Sequence, residues 1–332
     1  MKGEKTIMSS ITVSGTPHVR SKDSVQGIMR DVIIALIPAT VVGIINFGAN
    51  AALLVAISII ACVFFEWLYQ KLMKKPCTIK DLSAVVTGLL LAMNLPSTAP
   101  WYVPVVGAAF CMILCKQFFG GIGKNFVNPA LIARAFLVAA YPVATTGGAF
   151  LPTNSMLKAG IDAATYATPL ANLKAGTAVI DGQAIMDAFL GNIGGCIGET
   201  CALALIIGGV YLLVKQVISW RIPVVYMLTV FVLTLIMRGN GVMGSIYELF
   251  VGGLMLGSIF MATDYTTSPT TPKGQIFFAI GCGLLTSLIR VYGGYPEGVS
   301  YSILIMNLTV PLIERYTKPT IFGALPKEGK KA

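Results

Sequence analysis

Ten apolar runs, most of them near the length that crosses a bilayer, constrain this 332-residue chain more than any single motif does. A membrane-spanning helix needs about 20 predominantly apolar residues. The runs fall at 31–48, 50–72, 81–95, 101–119, 128–146, 197–215, 221–238, 245–263, 274–292 and 298–315. Only 11% of the residues are charged, against about a quarter in ordinary soluble domains, and the mean hydropathy is +0.79. That balance excludes a soluble globular domain, and such scarcity of charge also excludes a disordered chain. The expected fold is all-α: a polytopic integral membrane protein of about ten transmembrane helices.

The net charge of +10 does not point to nucleic acid, because nearly all the charge sits at the ends of apolar runs rather than on one soluble face. It does orient the chain. With the N-terminus placed in the cytoplasm, only Lys158, Lys174, Arg238 and Arg290 fall outside, and Arg134 lies within a run. The other 19 Lys and Arg residues fall inside, so both termini are expected to be cytoplasmic. The first 30 residues contain no apolar core of a cleaved leader. None of the seven cysteines forms the CxxC pairs expected of zinc or iron–sulfur ligation; Cys111 and Cys115, on one helix face, read as small buried hydrophobes.

The organisation follows from the spacing of the runs. A cytoplasmic tail (1–30) precedes five helices (31–146), an extracytoplasmic loop (147–196), five more helices (197–316) and a cytoplasmic tail (317–332). Five is odd, so the second set runs inverted relative to the first. Residues 87–94 (TGLLLAMN) resemble 252–259 (GGLMLGSI), and each stretch runs into a Ser/Thr/Pro-rich break. Interrupted helices in corresponding positions of inverted halves point to a midplane site.

Two stretches carry polar chemistry. The first is 120–136, GGIGKNFVNPALIARAF, where glycines precede Asn125 and Asn128 and Pro129 opens the next helix. Free N–H groups and two carboxamides there suit an oxygen-rich or heteroaromatic ligand, or simply form a Gly-rich turn with an Asn cap. The second is 162–170, DAATYATPL, where Pro169 forces Thr168 into an extended conformation, so that its hydroxyl is expected to project rather than to cap a helix. Ionisable residues at membrane depth are costly and default to functional hypotheses. Here they are Arg134, Glu199, Glu248, Asp264, Arg290 and Glu314. Asp264, at a Pro-rich break, and Glu314, late in the last run, are candidate Na⁺ sites. His18, alone in a polar tail, is not expected to act.

Together the GKNxxNPA segment, the later ATP loop, the MATD segment at 261–264, SPTTPKG at 268–274, and Glu297 with MNLTVPLIER at 306–315 carry a resemblance. The chain resembles the D-type membrane subunits of Rnf electron-transport complexes and the related B-type subunit of the sodium-translocating NADH:quinone reductase. The likeness spans roughly residues 20–320, and the chain's length favours the Rnf type. The resemblance implies FMN joined through its phosphate to the Thr168 hydroxyl, within a motif that includes Thr165 and Ala167. Tyr166 stands where the family has a small residue, and a bulky side chain there restricts the backbone that a flavin transferase must recognise. The likeness also implies a second, noncovalent flavin, riboflavin, near Lys124, Asn125 and Asn128. It further implies a prokaryotic inner-membrane location and partner subunits that handle ferredoxin and NAD, coupling their redox chemistry to Na⁺ or H⁺ transport. The chain is then one subunit of a translocase, inactive alone. An inverted-repeat solute transporter or channel fits the composition equally; only the Thr168 and Asn125/Asn128 segments separate the two readings.

Overall fold

The computed structural model describes residues 24–146, 168–177, 180–295 and 297–318. Among them there is no β-strand. Helices α1 (Val25–Phe47), α2 (Ala49–Leu72), α3 (Ser83–Met93), α4 (Tyr102–Gln117) and α5 (Pro129–Ala140) form the first half. Short helix α6 (Pro142–Thr146) closes that half, and α7 (Pro169–Lys174) and α8 (Gly182–Leu190) belong to the segment between the halves. The second half contains α9 (Ala202–Val214), α10 (Arg221–Arg238), α11 (Gly241–Phe250), α12 (Leu254–Met261), α13 (Pro272–Tyr292) and α14 (Val299–Thr317).

Four of these helices, α1, α2, α10 and α13, are long and apolar enough to cross a membrane; a fifth span is gained if α11 and α12, bent by 64° at Val251–Gly253, are taken as one. The chain is an integral membrane protein. Its long helices turn large apolar side chains outward, among them Ile60, Leu72, Ile236 and Phe277, each more than 60% exposed, and lipid satisfies such a surface. The other apolar helices are shorter. Eleven residues of α3 rise only about 16 Å, against the roughly 30 Å hydrocarbon core.

A short helix inside a membrane leaves carbonyls that need partners. At the end of α3 they find them in a turn from the other half: Gly198 N donates to Met93 O at 2.9 Å and Ile197 N to Leu95 O at 3.0 Å. The Asn94 side chain donates to Leu90 O at 2.7 Å and meets the Met261 sulfur at the end of α12. The two breaks therefore touch. Close helix crossings hold this arrangement. A Cβ on Gly88 would fall 2.8–2.9 Å from the backbone of Ile59 and Ser58, and Ser58 Oγ donates to Gly88 O at 2.8 Å. On the α1–α9 crossing, Gly208 faces Ala35 O with no room for a side chain.

Candidate functional site

The first site grows from the turn between α4 and α5. Gly120, Gly121 and Gly123 all adopt positive φ, which lets the chain reverse tightly where a β-carbon would be strained. Asn128 then caps α5, its Oδ1 accepting from Ala130 N at 3.0 Å, while its Nδ2 donates to Met261 O at 3.2 Å. Asn125 is buried, and its Oδ1 has no hydrogen-bond partner among the described residues. Both carboxamides line a cavity of about 420 Å³, within the usual range for small-molecule sites. Its walls are largely apolar, from Val86, Leu90 and Phe260, with Lys116 and Asp264 also on the lining.

The sequence places Lys116 near a helix end; the structure buries it completely. Its Nζ lies 3.0 Å from Glu66 Oε1 and donates to Ser83 Oγ at 2.5 Å, and Gln117 Nε2 adds a 2.7 Å bond to Glu66. Sequence reasoning passes over Glu66, although a carboxylate between Phe65 and Trp67 in an apolar run is itself a signal. Lys124 is exposed and is not on the cavity wall. Asp264 fixes its own turn: its carboxylate accepts from the Thr266 and Thr267 hydroxyls at 3.1 and 3.3 Å. Glu314 reaches the same segment from α14, accepting from Thr270 N at 3.1 Å and its hydroxyl at 2.9 Å, rather than pairing with Arg315. The two carboxylates thus anchor opposite ends of 264–270, and no group of three metal-ligating side chains exists among the described residues.

The second site centres on Arg134, in the middle of α5. Its Nη1 bonds Glu199 Oε1 at 2.5 Å and Asn94 Oδ1 at 2.6 Å; its Nη2 bonds Glu297. Glu297 lies in the connection before α14, outside the spanning helices. Burial pushes its carboxyl up, but the Arg134 guanidinium, the neighbouring Glu199 carboxyl and the Arg290 charge together outweigh that and hold it below the ordinary range. Nearby, Arg290 Nη1 donates to Glu248 O at 2.7 Å and so serves a carbonyl freed at the α11–α12 bend. Arg238 pairs with Glu248 at 3.0 Å. The count of positive charges treats Arg238 and Arg290 as loop residues; in the structure Arg290 is fully buried and Arg238 nearly so.

Thr168 lies beside this cluster, on a gap of about 10 Å³ lined also by Glu199, Glu297 and Gly195. The expectation that its hydroxyl projects is corrected: Thr168 caps α7, its Oγ1 accepting from Ala171 N at 3.3 Å. Its extended backbone, at φ −57° and ψ 150°, is as the proline demands, and N-cap residues adopt that same conformation. The residue stays half-buried, and its O–H donates to no partner among the described residues. The gap admits no more than a water. Thr165, Tyr166 and Ala167 lie outside the described residues.

These features define a polytopic membrane protein with two polar sites buried among broken helices. The chain belongs to the NQR2, RnfD, RnfE family, whose model matches residues 12–323. It is 52% identical over 324 residues to the D subunit of the Na(+)-translocating ferredoxin:NAD(+) oxidoreductase complex of Acetobacterium woodii, covering 97% of this chain and 98% of that one. It is 46% identical over 323 residues to the D subunit of the proton-translocating ferredoxin:NAD(+) oxidoreductase complex of Clostridium ljungdahlii, covering 94% and 96%. The D subunit of the ion-translocating oxidoreductase complex of Stutzerimonas stutzeri is 37% identical over 331 residues, covering 91% and 93%.

Proposed function

We propose that this chain is the flavin-carrying membrane subunit of an Rnf-type complex, moving electrons between two flavins while partner subunits handle ferredoxin and NAD. The relatives' names supply the complex, and they divide between Na⁺ and protons as the ion carried. FMN is held covalently on Thr168 after the action of a flavin transferase, and riboflavin occupies the cavity of Asn125 and Asn128. The cavity suits an isoalloxazine: apolar walls for the ring and one buried carboxamide oxygen awaiting a donor such as a ring N–H. The flavins supply the electron-transfer chemistry; the chain's residues bind and orient them and keep water from the ring.

The observation that carries this reading is α5. Its capping Asn128 lines the cavity, and six residues on, about 9 Å along the axis, Arg134 bonds the two carboxylates that flank Thr168. One rigid element therefore contributes to both sites. The topology is ten spans in two inverted five-helix halves, with both termini cytoplasmic. The pairing of short α3 with bent α11–α12, each ending at a polar break, supports it.

The test is a denaturing gel of the membrane-expressed chain, made with an active flavin transferase and viewed under ultraviolet light. A fluorescent band near 35.1 kDa that disappears in Thr168→Ala is expected. A dark wild-type band, with the transferase active on a control protein, refutes covalent flavin on this chain.

A further inference from the structure

We propose that Glu199 and Glu297 hold one exchangeable proton between them, making the Arg134 cluster a proton-binding site beside Thr168. This goes beyond the flavin reading and does not depend on it.

The two carboxyl groups lie against one another and share a single guanidinium. Carboxylates in contact do not both ionise readily; such a pair titrates as a unit. The hydrogen bonds point the same way. Glu199 is 2% exposed, and while its Oε1 takes the Arg134 bond, its Oε2 has no hydrogen-bond partner among the described residues. A buried acceptor without a donor is costly. A proton on Oε2 turns it into a donor, with the facing Glu297 carboxylate as acceptor, and removes the like-charge contact in the same step.

The surroundings leave this arrangement intact. From α5 the pair faces Arg134, whose other bonds go to Asn94 Oδ1 and the Cys196 sulfur. From its own turn it faces the Cys196 thiol, and from α14 the Tyr301 ring lies near Arg134. Arg290, on α13, spends its hydrogen bonds on Glu248 O and Val251 O rather than on either carboxylate. Glu248 is paired with Arg238. Gly253 makes the room: a Cβ there would fall 2.7 Å from Glu199 Oε1. Exchange runs through Glu297, whose side chain is 26% exposed. The proton passes from Glu199 Oε2 to Glu297 and on to water, leaving two carboxylates on Arg134; uptake is the reverse.

The experiment is infrared spectroscopy of the purified, assembled complex near neutral pH, in H₂O and D₂O. A carbonyl stretch of a protonated carboxylic acid is expected, shifting in D₂O. It should vanish in Glu199→Gln and also in Glu297→Gln, because either carboxylate left alone with Arg134 ionises. No such band in the wild type, a measurement that needs no variant, overturns the proposal. So does a band that survives in both variants, or one lost only in Glu199→Gln, since the proton then belongs elsewhere or is not shared. Co-purification with partner subunits verifies that the variants assemble. Running Thr168→Ala in parallel separates the two readings: a band that persists there with flavin fluorescence absent keeps the proton site independent of the flavin.

Discussion

The Glu66–Lys116 pair offers the most demanding test of the packing argument. Both side chains are at most 2% exposed, 3.0 Å apart, and Glu66 takes a further 2.7 Å bond from Gln117. Removing one partner strands the other charge in a dry interior, which costs about 3–5 kcal/mol; replacing both by apolar residues of similar volume is often close to neutral. Glu66→Leu and Lys116→Met are therefore each expected to destabilise by about that amount, whereas the two combined recover most of the loss. At roughly 2–4 °C per kcal/mol for a large domain, each single variant should lower the melting midpoint by on the order of 10 °C. Fluorescence-detected size-exclusion chromatography after heating reads this on the complex in detergent. A double variant whose loss equals the sum of the singles refutes the reasoning, because it means the two charges do not compensate one another.

Three further outcomes follow from the geometry. Thr168→Ala should lower stability by about 1 kcal/mol through the lost α7 cap, while Thr168→Asn keeps a capping oxygen but has no hydroxyl for a phosphate; comparing their melting midpoints and in-gel fluorescence separates capping from flavin attachment. Gly88→Leu should abolish assembly or cost at least about 1–3 kcal/mol, since the new side chain meets backbone rather than a movable side chain; yield of the assembled complex checks this. Asn128→Ala removes both the α5 cap and the bond to Met261 O, so it should reduce noncovalent flavin extracted from the complex while leaving in-gel fluorescence at Thr168 unchanged.

Most of the helical plan is legible in the sequence because apolar runs and helices share one cause, the need to satisfy backbone groups in lipid. The run at 221–238 coincides with α10, and 50–72 with α2 to within a residue. The eighth run breaks earlier than its Pro-rich end suggests, because Gly252 at φ +76° bends the chain between α11 and α12. Asn125 and Asn128 are readable from the glycines before them, since a Gly-rich reversal leading to a capped helix is local. That Asp264, 136 residues beyond Asn128, lines the same cavity is not readable, because tertiary packing alone brings the α12 break to the start of α5. Thr168 shows a different gap: extended backbone before a proline suggests a free hydroxyl, although it is also the conformation a cap requires. Glu297 stands in a family-like segment, but nothing local shows that it pairs with a buried arginine until packing places Arg134 beside it.

Helix α5 has a thermodynamic consequence. Its first turn is fastened to Met261 O by Asn128, and Arg134, farther along the same rod, is fastened to two carboxylates. A piston-like slide of this helix cannot alter one attachment and spare the other. Any molecule in the cavity that prefers one position of the rod must therefore change how firmly Arg134 holds its acids. By reciprocity, a change of charge at those acids must alter the cavity's affinity by the same factor.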